Sequence, residues 1–149
     1  MTAALQDTFG IRNDDIFKAA TGLAAGGGGT IDGSCGAYSG AIMVMSSLQG
    51  RARDSFSDRA SMQKAFTLAR KLHEKFIQEY GSVVCRDVQT KVLGRPYYLA
   101  DPDEFKKFEK AGAHDVHCPE VVGKAARWAA EVIIEAGLAQ ENHNGQRAK

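Results

Sequence analysis

Residues 24–40 read AAGGGGTIDGSCGAYSG, and seven of these seventeen residues are glycine, gathered around Cys35. Glycine loses more backbone freedom on folding than any other residue, so such a run implies that something approaches the main chain closely. Three occupants meet that need: a phosphate, a partner helix, or a group held by the Cys35 sulfur. A Walker-type phosphate cradle requires Gly-Lys-Ser/Thr at the helix start, and here the helix opens with Gly33-Ser34-Cys35-Gly36. A dinucleotide fingerprint requires a preceding strand, whereas the residues before this loop have helical periodicity. Both phosphate readings fail on context. The stretch is therefore read as a tight loop bending over a pocket into which Cys35 points. Gly36 and Gly40 would give a neighbour room on the helix that follows.

Outward from the loop the periodicity is helical and no alternating strand appears. Upstream, Thr2 to Phe9 predicts a helix stopped by Gly10. Asn13 or Asp14 predicts the cap of a second, with Ile16, Phe17, Ala20 and Leu23 on one face and an end at Gly26. The third runs from Cys35 to about Leu48. The longest spans about Asp58 to Tyr80, with Met62, Ala65, Phe66, Ala69, Leu72, Phe76 and Tyr80 as its apolar stripe. After Gly81, Ser82 is read as the cap of a short helix to Leu93. Asp101-Pro102-Asp103-Glu104 is a helix start of the Asp-cap, Pro-first type, ending near Gly112. The last helix runs from Pro119 to about Ala139, with Val122, Ala125, Ala126, Ala129, Val132, Ile133 and Ala136 inward. The expected architecture is an all-α, compact single-domain bundle of six or seven helices over residues 1–139, followed by a flexible tail at 140–149.

The chain has 149 residues, 19 basic and 18 acidic. That size suits one domain with a core of its own. The near-zero net charge argues against nucleic acid or an anionic membrane as the main partner. No apolar run reaches the roughly 18 residues of a membrane span. No secretory signal is visible at the N-terminus, so the expected compartment is the cytoplasm, with an upstream native start left open.

Cys35, Cys85 and Cys118 are odd in number and widely spaced, a poor disulfide framework and no zinc-finger pattern. Each falls at an expected helix start: Cys35 after Ser34, Cys85 three residues after Ser82, Cys118 before Pro119. A thiol at a helix N-terminus is expected to have a lowered pKa, and thiolate is the form that ligates soft metals and attacks disulfides. Three helix starts converging on one pocket would make a site for a metal or a charged sulfur cluster.

Cys35-Gly36-Ala37-Tyr38-Ser39-Gly40 resembles the CGAxxG element of the redox-active proteins named for a C–GCAxxG–C–C cysteine pattern. The preceding FGIRNDDIFKAATGLAAGGGG, the later element at Gly81, Ser82, Cys85, Arg86 and Asp87, and the Cys118-Pro119 helix resemble the same family, over about residues 5 to 137. The domain architecture is shared with split-Soret cytochromes, but no Cys-x-x-Cys-His is present, so covalent c-type haem is not expected. The resemblance implies a four-thiolate metal or iron–sulfur site, or a redox thiol site, with Cys35, Cys85 and Cys118 as ligands. The family's first cysteine would precede Met1, and the fourth ligand is open. Gly36, Tyr38, Ser39 and Arg86 are the residues expected beside the bound group.

Three functions stay open on this reading: an electron carrier using a metal or cluster, a thiol–disulfide redox enzyme, and a helical binding module with inert thiols. Electron donor and acceptor proteins are the implied partners, and the Gly36/Gly40 face suits either a neighbouring helix or a second copy in a homodimer. His117 is a candidate for the missing ligand; otherwise His114 and His117 read as solvated loop residues and His73 as a core-edge histidine. Tyr97 and Tyr98 would cover the pocket or anchor a loop.

Overall fold

The computed structural model describes residues 1–139, which asparagine, aspartate and glycine punctuate into seven α-helices. The tail expected at 140–149 lies outside the described residues. α1 (Thr2–Phe9) stops at left-handed Gly10. α2 (Asp14–Thr21) is capped by Asn13, whose side chain accepts from the backbone N–H groups of Asp15 and Ile16. α2 ends earlier than expected, and a 3-10 turn over Ala24–Gly26 leads into the glycine loop. α3 (Gly36–Gln49) follows, then α4 (Arg59–Tyr80), capped by Asp58 and closed by left-handed Gly81. α5 (Cys85–Leu93), α6 (Pro102–Lys110) and α7 (Cys118–Glu135) complete the set. Among the described residues there is no strand, only one antiparallel bridge between Ser34 and Val84. The all-α reading holds.

The Asp101 carboxylate accepts from the N–H groups of Asp103 and Glu104 at 2.8 and 2.9 Å, with Pro102 in the first turn. Asp101→Ala should therefore cost about 1 kcal/mol, measured by chemical denaturation.

α3, α4 and α7 pack on one another, and α1 lies against α3 and α7. The seam of α4 is Ala65, Leu68, Leu72, Phe76 and Tyr80. Leu68 replaces the expected Phe66, which is half-exposed, because the true stripe is a narrow three-and-four line and Phe66 sits on its flank. α7 contributes Val121, Ala125, Ala129, Val132 and Ile133; Val122 and Ala126 are only partly buried and Ala136 is exposed. Fully buried Ala125 and Ala129 leave room for the neighbouring helices to approach.

The neighbour expected at the Gly36/Gly40 face comes from within the chain. A Cβ on Gly40 would stand 2.9 Å from the Thr2 hydroxyl and 3.4 Å from Met1, at the start of α1. One on Gly36 would stand 3.2 Å from the Ala24 Cα.

Two departures bear on the site. α2 buries no residue; Ile16 packs at the edge of the main core, while Phe17 and Ala20 line a cavity. Ala113–His117, read from sequence as a loop, is a π-helical turn that runs straight into α7. Pro119 has no N–H, and its ring would collide with a carbonyl four residues earlier in a regular helix. A wider turn just before it relieves that conflict. A small second core of Tyr97, Phe108 and Ala113 packs beside this turn, apart from the main core.

Candidate functional site

The segments that carry Cys35 and Cys85 are tied together. The Cys35 N–H donates to the Val83 carbonyl at 2.8 Å, the Cys85 N–H to Gly33 at 2.9 Å, and the Arg86 N–H to Ile31 at 3.0 Å. Side chains alternate along such a pair, so Cys35 and Cys85 share the face opposite Ser34 and Val84.

Gly26 lies directly beneath this bridge. A Cβ there would stand 2.6 Å from Ile31 Cα, 2.7 Å from the Ile31 carbonyl carbon and 3.0 Å from Cys85 Cβ. The glycine run therefore admits the loop's own backbone and the carbon that carries a sulfur. Ile31 has φ 61°, costly for a β-branched residue. Its N–H bond to Ala25 at 3.0 Å and the Arg86 N–H on its carbonyl hold it there.

All three cysteines line one cavity of about 420 Å³. It opens between the two cores: Cys35 packs against the main core and Cys118 against the small one. Its walls are mostly apolar, with Phe17 on α2, Val88 and Val92 on α5, Phe108 on α6, and Val121 on α7. Met1 and Thr2 at the start of α1 reach it too.

The lowered thiol pKa values expected from helix N-termini do not arise. Burial pushes Cys35 up, and the nearby amides of Ala37 and Tyr38 offset this only in part. Cys85 is pushed up to about 12, first by burial and then by the charges that Cys35 and Cys118 would carry. Cys118 is pushed up to about 11 by burial, Cys35 and Glu109. At Cys85 and Cys118 the amides of the helix start are also already used. The first N–H groups of α5 serve Gly33, Ile31 and Val84, and the Cys118 N–H bonds the Ala113 carbonyl across the π turn. The caps also shift by a residue or two. Cys35 itself occupies the cap position of α3, and Val84 that of α5, while the Ser82 hydroxyl accepts from the Val84 N–H and donates to Asp87.

Of the residues expected beside a bound group, Gly36 lines the cavity, and Tyr38, Ser39 and Arg86 stand outside it. Arg86 points to solvent and pairs with Asp32 at 2.8 Å, across the glycine loop. Tyr38 stacks edge-on against Phe76, its hydroxyl 3.4 Å from His73, which is exposed. The Ser39 hydroxyl donates to the Cys35 carbonyl. The histidines exchange roles: His114, packed edge-on against Phe108 and paired with Glu109, lines the cavity. His117 faces a separate polar recess with Glu79, Tyr80 and Glu120. Tyr97 is buried under the Arg95 guanidinium and Tyr98 is exposed.

Sequence reading passed over Gln89. It is buried in the cavity wall, its Nε2 3.6 Å from the Cys85 sulfur and its Oε1 accepting from the Tyr97 N–H at 2.7 Å. The available signal was a glutamine one helical turn after a cysteine, on a helix side otherwise held by Val88 and Val92.

Among the described residues no three His, Cys, Asp or Glu side chains stand close enough to hold a single metal ion. No described helix is long and apolar enough to cross a membrane.

Fold and site together define a helical domain built around three thiols on the wall of one apolar cavity. A family model described as "Putative redox-active protein (C_GCAxxG_C_C)" matches residues 1–132, and the chain belongs to that family. Comparisons with curated proteins and with solved structures gave no match.

Proposed function

We propose that this redox-active protein carries electrons on an iron–sulfur cluster held in the cavity by Cys35, Cys85 and Cys118. The observation that carries the reading is that three sulfurs, distant in sequence, line one cavity. Thiols are the ligands that iron–sulfur clusters take. The size of the arrangement favours a cluster over a single ion. One zinc or iron ion needs thiolate sulfurs about 2.3 Å from it, hence about 4 Å from one another. No trio of such donors among the described residues meets that need. A cluster brings its own bulk and asks for ligands spread around a chamber, which a cavity of about 420 Å³ provides.

When bound, such a cluster supplies reversible one-electron transfer. The chain's own part is then to exclude water with the apolar wall and to present the sulfurs from rigid starts. The bridge between residues 33–35 and 83–85 fixes two sulfurs relative to each other. Their register also weighs against a disulfide between these two cysteines. Cys35 is opposite Val83, so Cys85 is its diagonal neighbour, and such pairs stand about 7–8 Å apart. A disulfide needs Cα atoms within roughly 4.4–6.8 Å.

The test is anaerobic reconstitution of the full chain with ferrous iron and sulfide. The expected product is brown, retains both iron and sulfide after desalting, and bleaches on reduction. Cys35→Ser, Cys85→Ser and Cys118→Ser should each reduce retained iron at least tenfold. A colourless, iron-free wild-type product would overturn the proposal.

A further inference from the structure

Resting on the cluster reading, we infer that Gln89 is a positioning residue for the Cys85 sulfur. Its side-chain N–H holds that sulfur and draws electron density from it, raising the reduction potential of whatever Cys85 ligates.

The amide has one orientation available. Its Oε1 accepts from the Tyr97 N–H at 2.7 Å, so its Nε2 faces Cys85, 3.6 Å from the sulfur. That distance suits an N–H donor to sulfur, and the residue is only 3% exposed, so water does not compete for the contact. It is the one side-chain hydrogen bond to any of the three sulfurs among the described residues. The anchor on the far side is firm. Tyr97 is buried against Phe108, the Arg95 guanidinium lies 3.7 Å from its ring centre, and Arg95 pairs with Glu104 at 2.7 Å.

The sign follows from the charge. Adding an electron makes a sulfur-ligated group more negative, and a donor aimed at a ligand sulfur stabilises the more negative state. Losing the donor should shift the reduction equilibrium about tenfold toward the oxidised form, close to 59 mV more negative for a one-electron couple.

Two measurements test this. In metal-free protein, the Gln89 side-chain amide signal in a proton–nitrogen NMR spectrum should move on Cys85→Ala and stay in place on Cys118→Ala. In reconstituted protein, Gln89→Met should lower the potential by about tenfold in the equilibrium constant. Glu104→Ala, which loosens the same loop without touching the donor, should leave it within twofold. The inference is overturned by an amide signal indifferent to Cys85. It is equally overturned by a Gln89→Met potential within twofold of wild type, or by a Glu104→Ala shift of equal size. If wild type takes up no cluster, the function proposed above fails by itself, and the NMR readout still decides whether Gln89 holds Cys85.

Discussion

Gly26→Ala is expected to destabilise the domain by about 3 kcal/mol or more, while Gly28→Ala, two residues away, should cost only about 1–2 kcal/mol. Both glycines have positive φ, 76° and 59°, so both substitutions pay for a left-handed alanine. Only Gly26 adds a collision. The new methyl would lie 2.6 Å from Ile31 Cα and 3.0 Å from Cys85 Cβ, while nothing lies within 4 Å of the corresponding position at Gly28. Ile31 cannot retreat easily. It is itself left-handed, and its backbone groups are bonded to Ala25 and Arg86. Relief must therefore come from the bridge that aligns Cys35 with Cys85. Chemical denaturation of the pair, each against wild type, isolates the collision from the dihedral cost. Equal losses would show that the loop yields without moving Cys85.

The same stretch shows how far local chemistry reaches. The caps at Asn13, Asp58 and Asp101 and the stops at Gly10 and Gly81 act through groups within four residues, and those helix ends stand where periodicity places them. The meeting of the cysteines at one pocket was an expectation from three helix starts, and all three line the cavity. What local chemistry could not convey was long-range. The anion-favouring end of a helix is visible in sequence, but whether its amides are already occupied is not. Gly33 and Ile31, more than fifty residues upstream, take those of α5. The Arg86–Asp32 pair is invisible for the same reason, since it spans the loop from two distant segments. His114 rather than His117 reaches the cavity because a π turn changes the angular step per residue, which a search at helical or loop spacing does not anticipate. Gln89 declares itself only through Tyr97, whose backbone fixes which end of the amide meets sulfur.

In metal-free protein at pH 8, Cys85 should react with iodoacetamide about a thousandfold more slowly than the same residue in denaturant. Thiolate is the reactive form, and burial, with the charges that Cys35 and Cys118 would carry, moves Cys85 from the ordinary 9.0 to about 12, three pH units. Cys118, pushed up to about 11, should be slowed by about a hundredfold. Peptide mapping by mass spectrometry after timed quenching reads each site separately. The same shift sets a direction for stability. A thiol whose folded pKa lies above its unfolded value favours folding fully below the unfolded value, near 9, and that contribution is lost as pH rises through about 12. Tyr80, raised from 10.0 to about 12 by burial and by Glu79, Cys35 and Glu120, acts in the same sense over an overlapping window. The metal-free domain should therefore lose stability steadily above pH 9, and Cys85→Ala should flatten that loss without removing it, because Tyr80 remains. Denaturation midpoints from pH 7 to 11 measure both slopes. Alkylation of Cys85 at the denatured rate, or identical slopes for wild type and Cys85→Ala, would mean that water reaches the sulfurs freely. The apolar wall would then not provide the dry chamber that an electron-carrying cluster needs here.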